Sequence, residues 1–322
     1  MIAPFEDIPV RQDMQAVAFY NVENLFDLKN NKLKHDNDFL PGSIKKWTQK
    51  RYHNKLRKIG YAISNIGRRE TGKHPALVGL AEVENASVLK DLITSKHLKN
   101  CNYNYIHFES KDERGIDVAL LYDTKTFKVT HSEAFAIVLT EPDGSTDYTR
   151  DVLLVSGVLD NENVHVIVNH WSSRREGQKE TEYKRLASSK KVSDIIETLK
   201  NKNEDAKILV LGDFNDTPQN LSLKRLVDDY GLYNPMETLR SFTRGSVKHR
   251  RQWFVFDQIL VSINFFRSSK NEFEFFKANI FDEPFLKLFK GPYKGSPYRT
   301  YAGPKYQGGY SDHFPVYVIL KK

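Results

Sequence analysis

Cysteine is almost absent from this 322-residue chain, where Cys101 stands alone. That excludes an intrachain disulfide framework and any zinc site built on thiolates. Long apolar runs are absent too, and none nears the ~18 residues that a membrane-spanning helix needs. An integral membrane protein is therefore not expected. The first residues, Met1-Ile2-Ala3-Pro4-Phe5-Glu6-Asp7, are acidic and lack an apolar stretch, so they do not read as a signal peptide. A cytoplasmic protein fits this, and so does a mature exported chain whose leader was removed. No neutral Gly/Ser/Pro linker divides the sequence, and there is no repeat. Neither sign of charge is scarce: 49 Lys and Arg face 41 Asp and Glu, giving +8 with His neutral. With 39% hydrophobic and 28% charged residues, the chain can bury a core and is not a disordered protein. The basic balance suits an anionic partner without requiring one.

Length alone allows about two domains. The distribution of elements points instead to a loose N-terminal arm over residues 1–14 and one domain over 15–322. Strand patterns begin at Ala16-Val17-Ala18-Phe19-Tyr20 and end with Phe314-Pro315-Val316-Tyr317-Val318-Ile319. Between them lie the apolar runs 75–81 and 208–211, with further strands near 103–108, 116–122, 127–137, 151–159, 163–169, 254–256 and 259–261. Helical spacing of Trp47, Leu56, Ile59, Ile63 and Ile66 predicts a helix over much of 44–67. Its outer face would carry Lys45, Lys46, Lys50, Arg51, Lys55, Arg57 and Lys58. Further helices are expected at 85–95 and 178–200. The pattern predicts an α/β unit with two packed mixed sheets and outer helices. The Lys/Tyr/Pro/Gly-rich stretch 281–310 reads as an irregular insertion.

Several apolar strands stop at a carboxylate, amide or imidazole. Asn21 and Glu23 follow the first strand, and Glu82 and Glu84 follow 75–81. Asn169-His170 ends the strand at 163–169. Asp213-Phe214-Asn215-Asp216 follows 208–211, Asp257 interrupts an aromatic and aliphatic run, and Asp312-His313 precedes the last strand. Taken singly, each has an ordinary explanation as a cap, turn or surface carboxylate. Side by side, they would converge on one rim. Oxygen ligands without thiolates point to Mg²⁺, with Mn²⁺ as a substitute. Histidines beside carboxylates suit proton transfer and charge stabilisation.

The motifs themselves resemble those of the endonuclease/exonuclease/phosphatase (DNase I-like) superfamily, in its bacterial-type branches. The matching segments are Phe19–Asp27, Gly79–Asn85, Arg114–Tyr122, Val168–Arg174, Leu211–Asp216, Phe256–Leu260 and Gly309–Val316. Each is short, and their shared order carries the resemblance across residues 16–320. It implies a four-layer α/β sandwich with one metal-dependent site for phosphoester cleavage. By the same resemblance, Glu82 would hold the metal with Asn21, and Asp312 would complete its surroundings. His313 would contact the scissile phosphate, oriented by Asp257. Asp213 would orient or deprotonate water, Asn215 would position it, and His170 would stabilise charge on phosphorus. Arg174 and Arg175 follow His170 where the best-known abasic-site nucleases differ, which weakens a base-excision-repair reading.

Arg114, Arg174 and Arg175 are phosphate-binding candidates, because guanidinium groups present directed donors. Arg114 could instead pair with Asp112 or Glu113. Nucleic acid is the leading substrate, supported by the basic helix and by Lys248, His249, Arg250 and Arg251 beside Trp253. Tyrosines in 291–303 could stack on bases or pack the loop. A small-molecule or lipid phosphodiesterase or phosphatase is the alternative, and an inactive phosphate- or nucleic-acid-binding module is the third reading. No sequence-specific DNA-reading motif is present. A monomer is favoured, although nothing in the sequence sets the oligomeric state.

Overall fold

The structure, a computed structural model, describes residues 8–31, 34–141, 143–249, 251–267 and 270–322. The first seven residues of the expected arm, and Arg250 of the basic patch, lie outside them. In chain order the first strands are β1 (Met14–Leu25), β2 (Leu77–Val83), β3 (Tyr103–His107) and β4 (Asp117–Asp123). Then come β5 (Phe127–Thr140), β6 (Thr146–Leu159), β7 (Glu162–His170), β8 (Ile208–Asp213) and β9 (Leu232–Tyr233). A two-stranded ribbon, β10 (Val247–His249) and β11 (Gln252–Phe254), precedes β12 (Asp257–Ser262) and β13 (Glu274–Ile280). A second ribbon, β14 (Tyr301–Ala302) and β15 (Lys305–Tyr306), precedes β16 (Val316–Lys321). The helices are α1 (Gln49–Asn65), α2 (Arg68–Thr71), α3 (Ala86–Ile93), α4 (Glu182–Lys202) and α5 (Leu221–Tyr230).

Two six-stranded sheets form, ordered β13-β16-β1-β2-β4-β3 and β5-β6-β7-β8-β12-β9. Each is mixed, with one parallel pair: β1 with β2, and β7 with β8. Strand alternation separates the layers. Val166, Val168, Leu209 and Leu211 face the first sheet, while Ile167, Ile208 and Val210 face α4 and α5. Gly79 stands where the two sheets face each other. A Cβ there would lie 2.9 Å from Leu211 Cδ1 and 3.2 Å from Val168 Cγ1, so a side chain would push the layers apart. The outer face of the first sheet is covered by α1, through Leu56, Ile59 and Ile63. Each such burial is worth roughly 1.5–3 kcal/mol over exposure. The architecture is the DNase I-like α/β sandwich, with helices outside both sheets.

Two expectations about α1 change. The helix begins at Gln49, and Trp47 lies before it, buried, with its indole N–H donating to the Phe26 carbonyl at 2.9 Å. Lys55, expected on the outer face, is 1% exposed. It lies on the same face as Tyr52 and Ile59, and its ammonium donates to the Thr300 hydroxyl and the Tyr310 carbonyl. Arg51 and Lys58 lie over the rings of Tyr306 and Tyr298, so the basic face is partly a seat for the 298–310 segment. The Phe254-Val255-Phe256 run also differs. Only Phe254 ends a ribbon strand, and the Ser246 hydroxyl accepts the Phe256 and Asp257 N–H groups at the entrance to β12.

Candidate active site

Three functional side chains sit in one row across the second sheet. Parallel pairing sets His170 of β7 opposite Asp213 of β8, and antiparallel pairing sets Asp213 opposite Asp257 of β12. His313, from the segment before β16, reaches this row. Its Nδ1 lies 2.7 Å from Asp257 Oδ2, and its Nε2 lies 3.9 Å from Asp213 Oδ2. From the first sheet, Asn21 Nδ2 donates to Asp213 Oδ2 at 3.0 Å. His170 Nε2 stands 3.8 Å from Asp213 and 3.9 Å from Glu82 Oε1. The two sheets thus share a single polar rim.

The backbone at this rim is unusual. Glu23, Asn24, Glu82 and Asn215 all adopt positive φ, at 52°, 51°, 65° and 49°. Such left-handed residues cost of order 1–2 kcal/mol each without glycine and persist only where surroundings impose them. Between Asn21 and Leu25 the β1–β2 register shifts, and on β2 it shifts between Ala81 and Val83. These bulges re-aim Glu82 across the rim, where Oε2 accepts the Asn24 N–H at 2.9 Å. No hydrogen bond to Oε1 occurs among the described residues, and Arg114 approaches it at 3.8 Å.

Arg114 owes its place to a buried bracket. Arg150 donates to the carbonyls of His170 and Trp171 and pairs with Asp112 at 2.9 Å. Asp112 in turn accepts the Arg114 backbone N–H. The Arg114 side chain therefore faces Glu82 and Asn24, while Asp112 and Glu113 do not hold its guanidinium. Arg174 points elsewhere. It donates to the Asn215 carbonyl, Gln178, Asn220 and Asp216, and stacks 4.8 Å over Phe256. This braces the loop carrying Asn215, whose side chain donates to the Trp171 carbonyl at 3.0 Å. Arg175 is exposed and lines a cleft with Arg299, Glu23 and Asn24.

Asp312 pairs with Arg299 at 2.9 Å. Arg299 also reaches Glu23 at 3.3 Å, Lys55 stands 3.9 Å from Glu23, and the Thr300 N–H donates to it at 2.6 Å. Arg299, Lys55 and Arg150 were not among the sequence candidates. Lys55 had a signal, since it falls three residues after Tyr52 and four before Ile59. Arg299 lies in an aperiodic segment and had none. Glu84 supports the loop after β1 by accepting the Asp27 N–H, while Asn85 caps α3.

Electrostatics push the two site histidines apart. Burial, then Arg150 and Arg114, hold His170 well below its ordinary range, so it is neutral. Burial also opposes charge on His313, but Asp257 and Asp213 outweigh it and hold the ring protonated. Burial pushes the Asp213 carboxyl up against the pull of His313, and Asp257 adds to it. One histidine is thus kept neutral and one charged, the division that acid–base sites exploit. Asp213, Asp257 and His313 bring ligand atoms within 4.8 Å of one another and could hold a divalent cation. The 2.7 Å contact between Nδ1 and Asp257 equally marks a His–Asp pair.

The family profile for the Endonuclease/Exonuclease/phosphatase family matches residues 16–322. The chain belongs to that family. No match was found among curated proteins. Solved structures share the fold at low identity. An endonuclease/exonuclease/phosphatase family protein from Bacteroides thetaiotaomicron is 18% identical, covering 95% of this chain and 97% of its own, with TM-score 0.59. A mannosyl-6-phosphatase of the same organism is 18% identical, covering 96% and 100%, with TM-score 0.58. The D. rerio TDP2 complexed with single strand DNA product is 14% identical, covering 97% and 100%, also at 0.58. Among the described residues of this family member, no helix is long and apolar enough to cross a membrane.

Proposed function

We propose that this protein is a Mg²⁺-dependent phosphodiesterase that hydrolyses nucleic acid by water attack at phosphorus, with Mn²⁺ able to substitute. The observation that carries the reading is the His170–Asp213–Asp257 row, with His313 bonded to Asp257 and Asn21 bonded to Asp213. Glu82, whose Oε1 keeps a free lone pair, offers the hard oxygen donor that Mg²⁺ prefers, and the Asn21 Oδ1 beside it, which accepts the Glu23 N–H at 3.0 Å, has its second lone pair to give. Asp312 is the weaker ligand, because Arg299 already occupies one of its oxygens. A bound Mg²⁺ supplies positive charge to the phosphoryl oxygens and the departing alkoxide.

The remaining chemistry belongs to side chains. Asp213, pushed toward basicity by burial, orients the attacking water and takes its proton. Asn215 fixes the water's approach. Asp257 holds His313 through Nδ1, so that the Nε2 proton faces the phosphoryl group and answers its growing charge. Neutral His170 donates a hydrogen bond without repelling the neighbouring cations. Arg114 supplies a further cation beside Glu82. Arg175 is free to meet the substrate, whereas Arg174 acts through the Asn215 loop. The excess of basic residues and the DNA-bound D. rerio relative support nucleic acid. The mannosyl-6-phosphatase relative supports a small phosphate ester as the second reading.

The test is a panel of single-stranded DNA, duplex DNA, RNA, nucleotides, inositol phosphates and mannose 6-phosphate, with Mg²⁺ or Mn²⁺. E82A, D213A and H313A should each lose roughly 10²–10⁴-fold in turnover while circular dichroism stays unchanged. Near-native turnover in any of them removes that residue from its role. Hydrolysis confined to small esters reverses the substrate assignment.

A further inference from the structure

The expected insertion does more than pack. Its residues fold beside Asp312 and, with the β10–β11 ribbon, enclose a cavity of about 750 Å³. That is the size of a small-molecule site. Lys248 and Arg251 line it, and neither forms an ion pair among the described residues. Lys248 lies 5.1 Å over the Trp253 ring, and Arg251 projects from a left-handed backbone at φ 67°. The cavity's carboxylate, Asp312, is already paired with Arg299. Two cations thus face the space without compensation. Leu288 and Pro297 give apolar walls, and the Tyr293 ring is 57% exposed.

We infer that this cavity binds one nucleotide unit of the substrate, with its base against Tyr293 and its flanking phosphate on Lys248 and Arg251. The inference rests on the phosphodiesterase reading, in which the scissile phosphate meets His313, the residue after the cavity's Asp312. Leu288, Tyr293 and Pro297 offer apolar surface to the face of a base, which a sugar phosphate lacks. The paired cations call for an anion beyond the one being cleaved. Together these features favour a nucleotide over a simple phosphate monoester.

The probe is thymidine 3′,5′-bisphosphate, titrated calorimetrically into the full chain with Mg²⁺ present. The double variant Lys248→Ala/Arg251→Ala should weaken binding by at least about tenfold and Tyr293→Ala by about fivefold. Hydrolysis of methyl p-nitrophenyl phosphate, which carries neither a base nor a flanking phosphate, should change less than about twofold in both. Unchanged bisphosphate affinity alongside active hydrolysis overturns the nucleotide subsite and leaves the hydrolase reading standing. Wild-type protein that binds the bisphosphate through Lys248 and Arg251 but hydrolyses no diester supports the subsite and defeats that reading. Mannose 6-phosphate that binds as tightly as the bisphosphate, without loss in Tyr293→Ala, overturns the nucleotide assignment.

Discussion

Two His–Asp pairs sit at opposite ends of the first sheet. At the rim where β2 ends, His313 meets Asp257 at 2.7 Å. Before β2 begins, His74 meets Asp123 at 3.0 Å. Both histidines are held protonated by their carboxylates, and both lie mostly inside. The difference is what the other ring nitrogen faces. His313 is tied through Nδ1, which leaves Nε2 directed at Asp213, near Asn21 and His170. His74 is tied through Nε2, with the Tyr103 ring edge-on at 5.1 Å. A His–Asp pair becomes a candidate catalyst only when further donors and carboxylates converge on its free nitrogen. At the far end the same chemistry ties the start of β2 to the end of β4.

The largest test of this contrast is catalytic. Asp257→Asn should lower diester hydrolysis by roughly 10²–10⁴-fold, because His313 loses both its orientation and its charge partner. Asp123→Asn should leave turnover within about twofold. Equal losses in steady-state assays would erase the distinction between the ends. The next effect is on stability. Lys55→Met removes a buried ammonium and leaves Glu23 with less compensation, which should cost about 3 kcal/mol by urea unfolding. A variant as stable as the parent would show that Arg299 and Thr300 suffice for Glu23.

The smallest effect sharpens the far pair. Burial alone would pull His74 down, but the hydrogen bond to Asp123 and the nearby Cys101 push it up to about 9 from its ordinary 6.5. A raised folded-state pKa stabilises the protein fully below the unfolded value. That contribution fades as pH rises through about 6.5 to 9. Urea midpoints measured across this window should fall more steeply in the parent than in Asp123→Asn. Parallel slopes would rule out the pair as a stabilising contact. A Cys101→Ser control separates the sulfur's share.

Much of the fold was readable because strand alternation and buried runs mark both sheets. The site was readable where polar residues end such runs, as at Glu82, His170 and Asp213. Pairing register then did what sequence order could not: it set His170, Asp213 and Asp257 in one row. Lys55 is buried despite its charge because its helical position puts it on the Tyr52 and Ile59 face. The bulges at Glu23, Asn24 and Glu82 were invisible, since no glycine advertises their left-handed backbone. Arg299 stayed hidden for a related reason. Its partners Glu23 and Asp312 are chosen by tertiary folding of a segment with no period.

The pairing of β16 with β1 has a consequence for how the protein comes into being. A chain emerging from the ribosome presents β1 first, yet one flank of that strand stays bare until residues 316–321 arrive. Before that, Asn21, Glu82, His170, Asp213 and Asp257 have all been made and await the docking of His313. Strand β16 closes the sheet and delivers the final imidazole together, so a nascent chain carries an incomplete centre until residues 313–321 have been made.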